Sequence, residues 1–418
     1  MSELLNSTEI KLINANGIEG VLNNSLKDKA SEVLETIKFP TTRTEAWKYT
    51  RLGKISKNEF EIRSSTLNSI EKFKIVENAH TLVFLNGFFS TELSTKELDK
   101  NITVNSLSDI DQKYIGKNVT LENEIFNSLN TKFSTGGIAI IIKKNAVIDL
   151  PIQILHITEG NKTSSTTRNV IIAEDNSQVN FIEAFHSYNA ENSFENSISE
   201  VFVGKNTQLH IDKIQVQNET CYHISTEQVE QDKDSTFTIN TVTLNGGLVR
   251  NNLNIDVKGE NCTTNLNGVY QLKGNQHVDN HTVVDHLVPN CESNELYKGI
   301  IDEKSTAVFN GKVFVRRNAQ KINAFQSNGN VLLSDDATVN SKPELEIYAD
   351  DVKCSHGSTT GQLDEEAVFY LRARGLSEKS ARKLIVSAFI NDVIEKINNE
   401  EVVNYVQQKI EERFSNSK

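Results

Sequence analysis

The sequence predicts a mainly β protein, a coiled stack of short strands with helical segments at both ends. Three observations predict it. From Thr81 to Val352, short runs rich in Val, Ile, Thr and Phe alternate with turns rich in Asn, Asp, Gly and Ser, in a chain that holds only 4 prolines. Within that stretch one unit recurs, an apolar strand, a polar turn and a second alternating strand. Apolar residues at helical spacing lie outside it, near the two termini.

The expected elements follow in chain order. Leu22, Leu26, Ala30, Val33, Leu34 and Ile37 form a short amphipathic helix that Pro40 closes. Pro40 to Thr50 carries the only tryptophan, Trp47, as a second short helix or a docking turn; packing alone would account for it. The repeats come next. Glu174 to Ser177, Gly204 to Thr207, Asp232 to Ser235, Lys258 to Asn261, Asp302 to Ser305 and Ser334 to Ala337 are copies of one turn. Most lie about 27 to 32 residues apart, the spacing of a solenoid coil, and a sandwich gives no reason for the same turn to return. A solenoid leaves two open rims that must be capped or paired. At the C-terminal end, Asp364 to Arg374 opens with acids, closes with Arg372 and Arg374 and stops at Gly375. A second helix starts at Ser377 with an apolar stripe of Ala381, Leu384, Ile385, Ala388, Phe389, Val393 and Ile397, and a charged third helix spans Val402 to Phe414. The stripe serves either as core or as a partner surface. The expected division is a helical region at 1–75, a β-helix at 76–357 and a helical domain at 358–418.

Composition narrows the function. A formal net charge of −12 speaks against sequence-independent nucleic-acid binding. Cys221, Cys262, Cys291 and Cys354 form no Cys-x-x-Cys pair, which suits a reducing cytoplasm better than a disulfide framework. Met1 to Ser7 lacks the cationic and apolar parts of a secretory signal, and the apolar run Ile138 to Ile142 is far short of the roughly 20 residues of a membrane helix. No P-loop, dinucleotide fingerprint or Gly-x-Ser-x-Gly elbow occurs.

Two stretches hold metal-type ligands. His277 and His281, four apart in a strand, stand about 13 Å from each other and cannot share one ion, so with His286 and Cys291 they read as structural or interface residues before a metal centre. Cys354 and His356 are better placed: two apart in extended chain, they share a side with α-carbons about 6.5 to 7 Å apart, enough for half a metal site. One thiolate and one imidazole do not close a permanent iron–sulfur cage. Such a pair suits a transient or shared site, the alternative being a buried cysteine near an exposed histidine.

The segment Lys342-Pro343-Glu344-Leu345-Glu346-Ile347-Tyr348-Ala349-Asp350-Asp351-Val352-Lys353-Cys354-Ser355-His356-Gly357, with Leu332-Leu333-Ser334, Gly361 and Phe369-Tyr370-Leu371-Arg372-Ala373-Arg374-Gly375, closely resembles the SufB/SufD family of iron–sulfur cluster assembly scaffolds, on the SufD side. The likeness continues at His277 to His286, Tyr297-Lys298-Gly299-Ile300, Phe309-Asn310-Gly311-Lys312 and Arg43 to Tyr49. It implies a right-handed parallel β-helix, a heterodimer with a SufB-like paralogue (a homodimer when alone), and a SufC-like ATPase bound through the C-terminal helices, with Phe369, Arg372, Leu384 and Phe389 as contact residues. It also implies a non-enzymatic subunit whose Cys354 and His356 lie where a transient iron or nascent iron–sulfur cluster is built between subunits. The SufB paralogue carries an assembly cysteine where this chain reads Gln326-Ser327-Asn328, so few cluster ligands come from this subunit.

Two rivals remain at this point. A carbohydrate-active β-helix enzyme needs carboxylates along one face and is commonly exported, which the N-terminus disfavours. A purely structural subunit would simply bury Cys354.

Overall fold

The computed structural model describes residues 10–13, 18, 20–122 and 124–415. Met1 to Ser7, read above for a secretory signal, lie outside the described residues. From Ile152 onward the chain winds as a parallel β-solenoid of two facing sheets. One sheet holds Thr163–Ala173, Phe194–Val203, Tyr222–Gln231, Leu248–Val257, His277–His286, Thr306–Val315 and Thr338–Ile347. The other holds Ile152–Glu159, Gln178–Tyr188, Gln208–Val216, Thr236–Asn245, Thr263–Leu272, Glu292–Ile301, Ile322–Leu332 and Val352–Gln362. In the first sheet Ser164 pairs with Phe194, Phe194 with Tyr222, Tyr222 with Leu248, Leu248 with His277, His277 with Thr306 and Thr306 with Thr338. Each coil therefore returns after the interval that the turns predict.

Five of the six turns place one residue in the left-handed region. Asn176, Asn206, Asp234, Asn261 and Glu303 have φ of 59°, 52°, 61°, 61° and 54°. Asn and Asp enter that region at low cost, which is why they mark the repeats. Their side chains also stack: Asn206 Nδ2 donates to Asn176 Oδ1 at 3.0 Å and Asn176 Nδ2 to Asn145 Oδ1 at 2.9 Å. The interior is apolar along much of its length, with Phe181, Phe237, Leu266, Phe309 and Val313 among its members. A polar lane runs beside it, in which Lys213 Nζ, fully enclosed, donates to Ser225 Oγ at 2.6 Å and Glu227 Oε1 at 2.5 Å. Enclosing that ammonium is tolerable only because those partners replace its water.

Among the described residues six α-helices flank the coil: α1 (Asn24–Thr36), α2 (Gly53–Ser56), α3 (Ile125–Phe133), α4 (Glu365–Ala373), α5 (Glu378–Ile394) and α6 (Glu400–Ser415). Ser377 caps α5 as expected, accepting from Ser380 N, and Asp364, read above as a first-turn acid, is the cap of α4, accepting from Ala367 N. The α3 helix corrects the reading of Thr81 to Val352 as all β. Its Ile125, Phe126, Leu129 and Phe133 do follow helical spacing, and they bury beside Trp47, whose ring centroid is 5.2 Å from that of Phe126. Ahead of Ile152 the strands also depart from the coil pattern: Phe88–Ser90 and Ile102–Ser106 pair antiparallel with His80–Leu85 and Ile138–Ile142. Glu59–Ile62, from the expected helical region 1–75, joins the first sheet, and the last strand runs to Gln362, past the expected edge at 357.

The C-terminal stripe divides. Ala381, Val386, Ile390, Val393, Ile394 and Ile397 pack with α6 residues Val402, Val406 and Ile410 on the outer face of the second sheet, against Ile182, Ile214, Val242 and Val269. Leu384 and Ala388 stay exposed. The helix α5 is apolar on two sides and uses one of them as core.

Candidate functional site

The solenoid ends on two rims of different character. In the first sheet the last strand, Thr338–Ile347, carries Pro343, which lacks an N–H, and the charges Lys342, Glu344 and Glu346. Proline and charge are the usual guards of an edge. In the second sheet the last strand, Val352–Gln362, pairs only with Ile322–Leu332 among the described residues. It has no proline, one charged lysine and mostly exposed side chains, so it presents an unguarded row of backbone donors and acceptors.

Cys354 and His356 sit on this strand. Cys354 is paired in register with Ala324 and His356 with Gln326, both of which are buried. Strand alternation therefore turns the thiol and the imidazole to the same, inward face of the terminal coil, as the spacing predicts. Cys354 is half-buried and packs on the solenoid core, whereas His356 is exposed. Burial pushes the Cys354 thiol up, partly opposed by the Ala324 backbone, so the sulfur keeps its proton until a cation or metal displaces it. Among the described residues, no group of three or more His, Cys, Asp or Glu side chains converges to hold a metal ion. The other three cysteines are buried and free.

Behind His356 lies a buried polar chain that sequence reasoning missed. Gln326 Nε2 donates to Glu295 Oε2 at 2.9 Å, Thr282 Oγ1 donates to Glu295 Oε1 at 2.5 Å, and Gln326 Oε1 has no partner. The available signal was a Glu and a Gln at inward positions of two adjacent coils.

The histidine stretch is structural, in line with the distance argument. Arg250 Nη1 donates to Asp279 Oδ2 at 2.7 Å, and His281 Nε2 lies 2.9 Å from Asp279 Oδ1. Thr50 Oγ1 meets His277 Nε2 at 2.8 Å, and the Arg250 guanidinium covers the Trp47 ring at 3.9 Å while Nη1 also donates to Ala46 O. These residues anchor the Trp47 turn to the first sheet, which makes it a docking turn. His286 is buried on the inward face, its Nε2 3.0 Å from Ser293 Oγ.

The four helix residues expected to contact a partner do not form one group. Phe369 is 73% exposed and Leu384 51% exposed. Arg372 pairs with Glu378 at 3.2 Å, tying α4 to α5. Phe389 is turned to the solenoid, where Lys298 Nζ lies 4.7 Å from its ring centroid and donates to its carbonyl.

Fold and rim together define a β-solenoid protein with an unguarded terminal strand that bears one thiol and one imidazole. Residues 156–389 match the SufBD core domain of the SUF system for FeS cluster assembly, and residues 5–154 match the SufBD protein N-terminal region, so the chain belongs to the SufBD family of iron–sulfur cluster assembly proteins. An iron–sulfur cluster assembly SufBD family protein of Synechocystis is 34% identical over 404 residues, spanning 91% of this chain and 89% of its own. The iron–sulfur cluster assembly protein SufD of Escherichia coli is 30% identical over 392 residues, 90% and 89% of the two chains, and SufD of Bacillus subtilis is 23% identical over 408 residues, 92% and 93%. The chain is SufD-like.

Proposed function

We propose that this chain is a non-enzymatic scaffold subunit that pairs with a SufB-like paralogue through its terminal coil and contributes Cys354 and His356 to a shared site. The cargo is iron or a nascent iron–sulfur cluster, held transiently and completed by ligands from the partner. The observation that carries this reading is the Val352–Gln362 strand, an unguarded edge with a half-buried thiol and an exposed imidazole on one face. A parallel solenoid that stops on such an edge gains a ladder of hydrogen bonds when another strand adds to it. The C-terminal helices take a SufC-like ATPase on the side of α4 and α5 where Phe369, Tyr370 and Leu384 stand exposed, and ATP turnover belongs to that partner. The four free cysteines suit a reducing, cytoplasmic setting, and no described helix is long and apolar enough to cross a membrane.

Co-purification from the native cell tests the assembly: a homologous β-solenoid subunit and an ATPase are expected to come along. Cluster reconstitution in that complex tests the site. His356→Ala and Cys354→Ser are each expected to slow cluster formation at least tenfold with the complex intact. Assembly at the unmodified rate in both variants would remove Cys354 and His356 from the cargo's path and leave a structural subunit.

A further inference from the structure

A second feature lies away from the terminal coil. Between the outer face of the second sheet, the turn at Glu71–Phe73 and α6 is a cavity of about 470 Å³, within the range of small-molecule sites. Lys72, Lys273 and, one turn apart on α6, Lys409 and Arg413 converge on it from three separate parts of a chain whose net charge is −12. Two carboxylates also line it. Glu412 is engaged by Lys409 Nζ at 2.9 Å and by Gln408 Nε2 at 2.9 Å, and Glu219 faces Arg413. Counting both acids, the lining keeps a surplus of two positive charges with His186 neutral.

Burial bears on two of the lining groups. Burial draws the Arg413 guanidinium down to about 10, against the pull of Glu219. Burial likewise draws His186 down to about 4, and the charge on Lys409 adds to that effect. His186 is only 7% exposed, opens onto the cavity, and its Nε2 has no hydrogen-bond partner. Arg413 Nη2 is oriented by Gln276 Oε1 at 2.7 Å, and Lys72 is held 3.3 Å above the Tyr188 ring centroid. A concave, partly desolvated group of like charges costs folding energy unless an anion offsets it. Among biological anions, phosphate offers several oxygens to one guanidinium and a ring of ammonium groups.

We infer that this cavity is a binding site for a small phosphate-bearing molecule, with Lys273, Lys409 and Arg413 as its principal phosphate contacts. The ligand is an inorganic oligophosphate or the phosphate group of a small metabolite, and the two share this chemistry. The site is independent of Cys354 and His356.

Titration calorimetry on the whole protein decides it, with pyrophosphate, ADP and adenosine as probes. Pyrophosphate and ADP are expected to bind and adenosine, which lacks phosphate, is not. Equal affinity for the first two identifies a site for phosphate alone, and a large preference for ADP identifies a phosphorylated metabolite. Lys273→Gln and Lys409→Gln are each expected to weaken binding about tenfold or more, while melting without ligand is held or slightly raised because each removes one of the clustered positive charges. No heat from either phosphate-bearing probe at millimolar concentration would overturn the proposal on the unmodified protein alone. Unaltered binding by both variants would overturn it as well.

Discussion

His356 stands across the sheet from Gln326, and the Gln326 amide is the outermost buried member of a hydrogen-bonded chain that runs inward through Glu295 to Thr282. Burial pushes the Glu295 carboxyl up to about 7 against both hydrogen bonds. Between the ordinary carboxylate range and that value the folded chain holds a proton that the unfolded chain has released. Stability from this group is therefore greatest at acid pH and falls as pH rises through the window. Glu195, buried and also raised to about 7, adds in the same range. Glu295→Gln is expected to remove one of the two contributions: its stability relative to the parent should rise by roughly 3 kcal/mol between about pH 5 and about pH 8. Denaturant unfolding at the two pH values measures it, and a difference independent of pH would show that Glu295 is ionised in the fold.

Two glycines make room for two tyrosines inside the coil. A Cβ on Gly268 would lie 2.2 Å from Tyr297 Cε1, and one on Gly299 would lie 2.1 Å from Tyr270 Cε2. Tyr270 OH in turn donates to Asn330 Oδ1 at 2.6 Å, so its ring has little freedom to yield. Gly268→Ala and Gly299→Ala are each expected to cost about 1–3 kcal/mol or more by overpacking. Adding Tyr297→Leu to Gly268→Ala should restore part of the loss, because the clash is with that ring alone. A double variant no more stable than the Gly268→Ala single would point to a backbone cause instead.

The solenoid was legible because its turns obey a local rule. Asn176, Asn206 and Asn261 stand where a left-handed residue is required, and a local requirement repeated along the chain can be read without knowing what touches what. The pair Cys354 and His356 was legible for a similar reason, since strand alternation alone puts them on one face. Helix α3 was missed because its turns lie between antiparallel strands, in a stretch whose Ile and Phe content reads as β. The chain from Gln326 to Thr282 was missed because its members are joined only by stacking and by the opposite sheet, a relation set by coil geometry. The division of α5 depended on which of two apolar sides meets Ile214 and Val242, which helical periodicity does not decide.

Asp279 is the keystone of the N-terminal docking turn. Arg250 and His281 beside it hold its carboxyl far below the usual range despite full burial. Asp279→Asn would leave the Arg250 guanidinium buried without its counter-charge, at an expected cost of about 3–5 kcal/mol. Trp47 is the only tryptophan and lies under that guanidinium, so its fluorescence reports the site directly. The expected signature is a red shift of the emission at temperatures where circular dichroism still shows the β-solenoid intact. Emission that stays blue until global melting would mean that the turn is held by its apolar contacts with Phe126 and not by Asp279.

Pairing through the Val352–Gln362 rim can be separated from simple contact by a proline scan. Successive residues of a strand direct their N–H groups to opposite sides, so of two adjacent positions one donates to Ile322–Leu332 and the other to the open side. Thr359→Pro and Thr360→Pro therefore form a matched pair that differ in which ladder they interrupt. One is expected to lower the melting temperature of the isolated chain by removing an internal hydrogen bond. The other is expected to leave melting almost unchanged and to weaken capture of the paralogous subunit at least tenfold, measured by pull-down at equal concentrations. If neither substitution affects capture, backbone pairing along this strand is not the means of association, and the contact must rest on side chains such as Phe325 and Tyr348, which are 43% and 56% exposed at the same end of the coil.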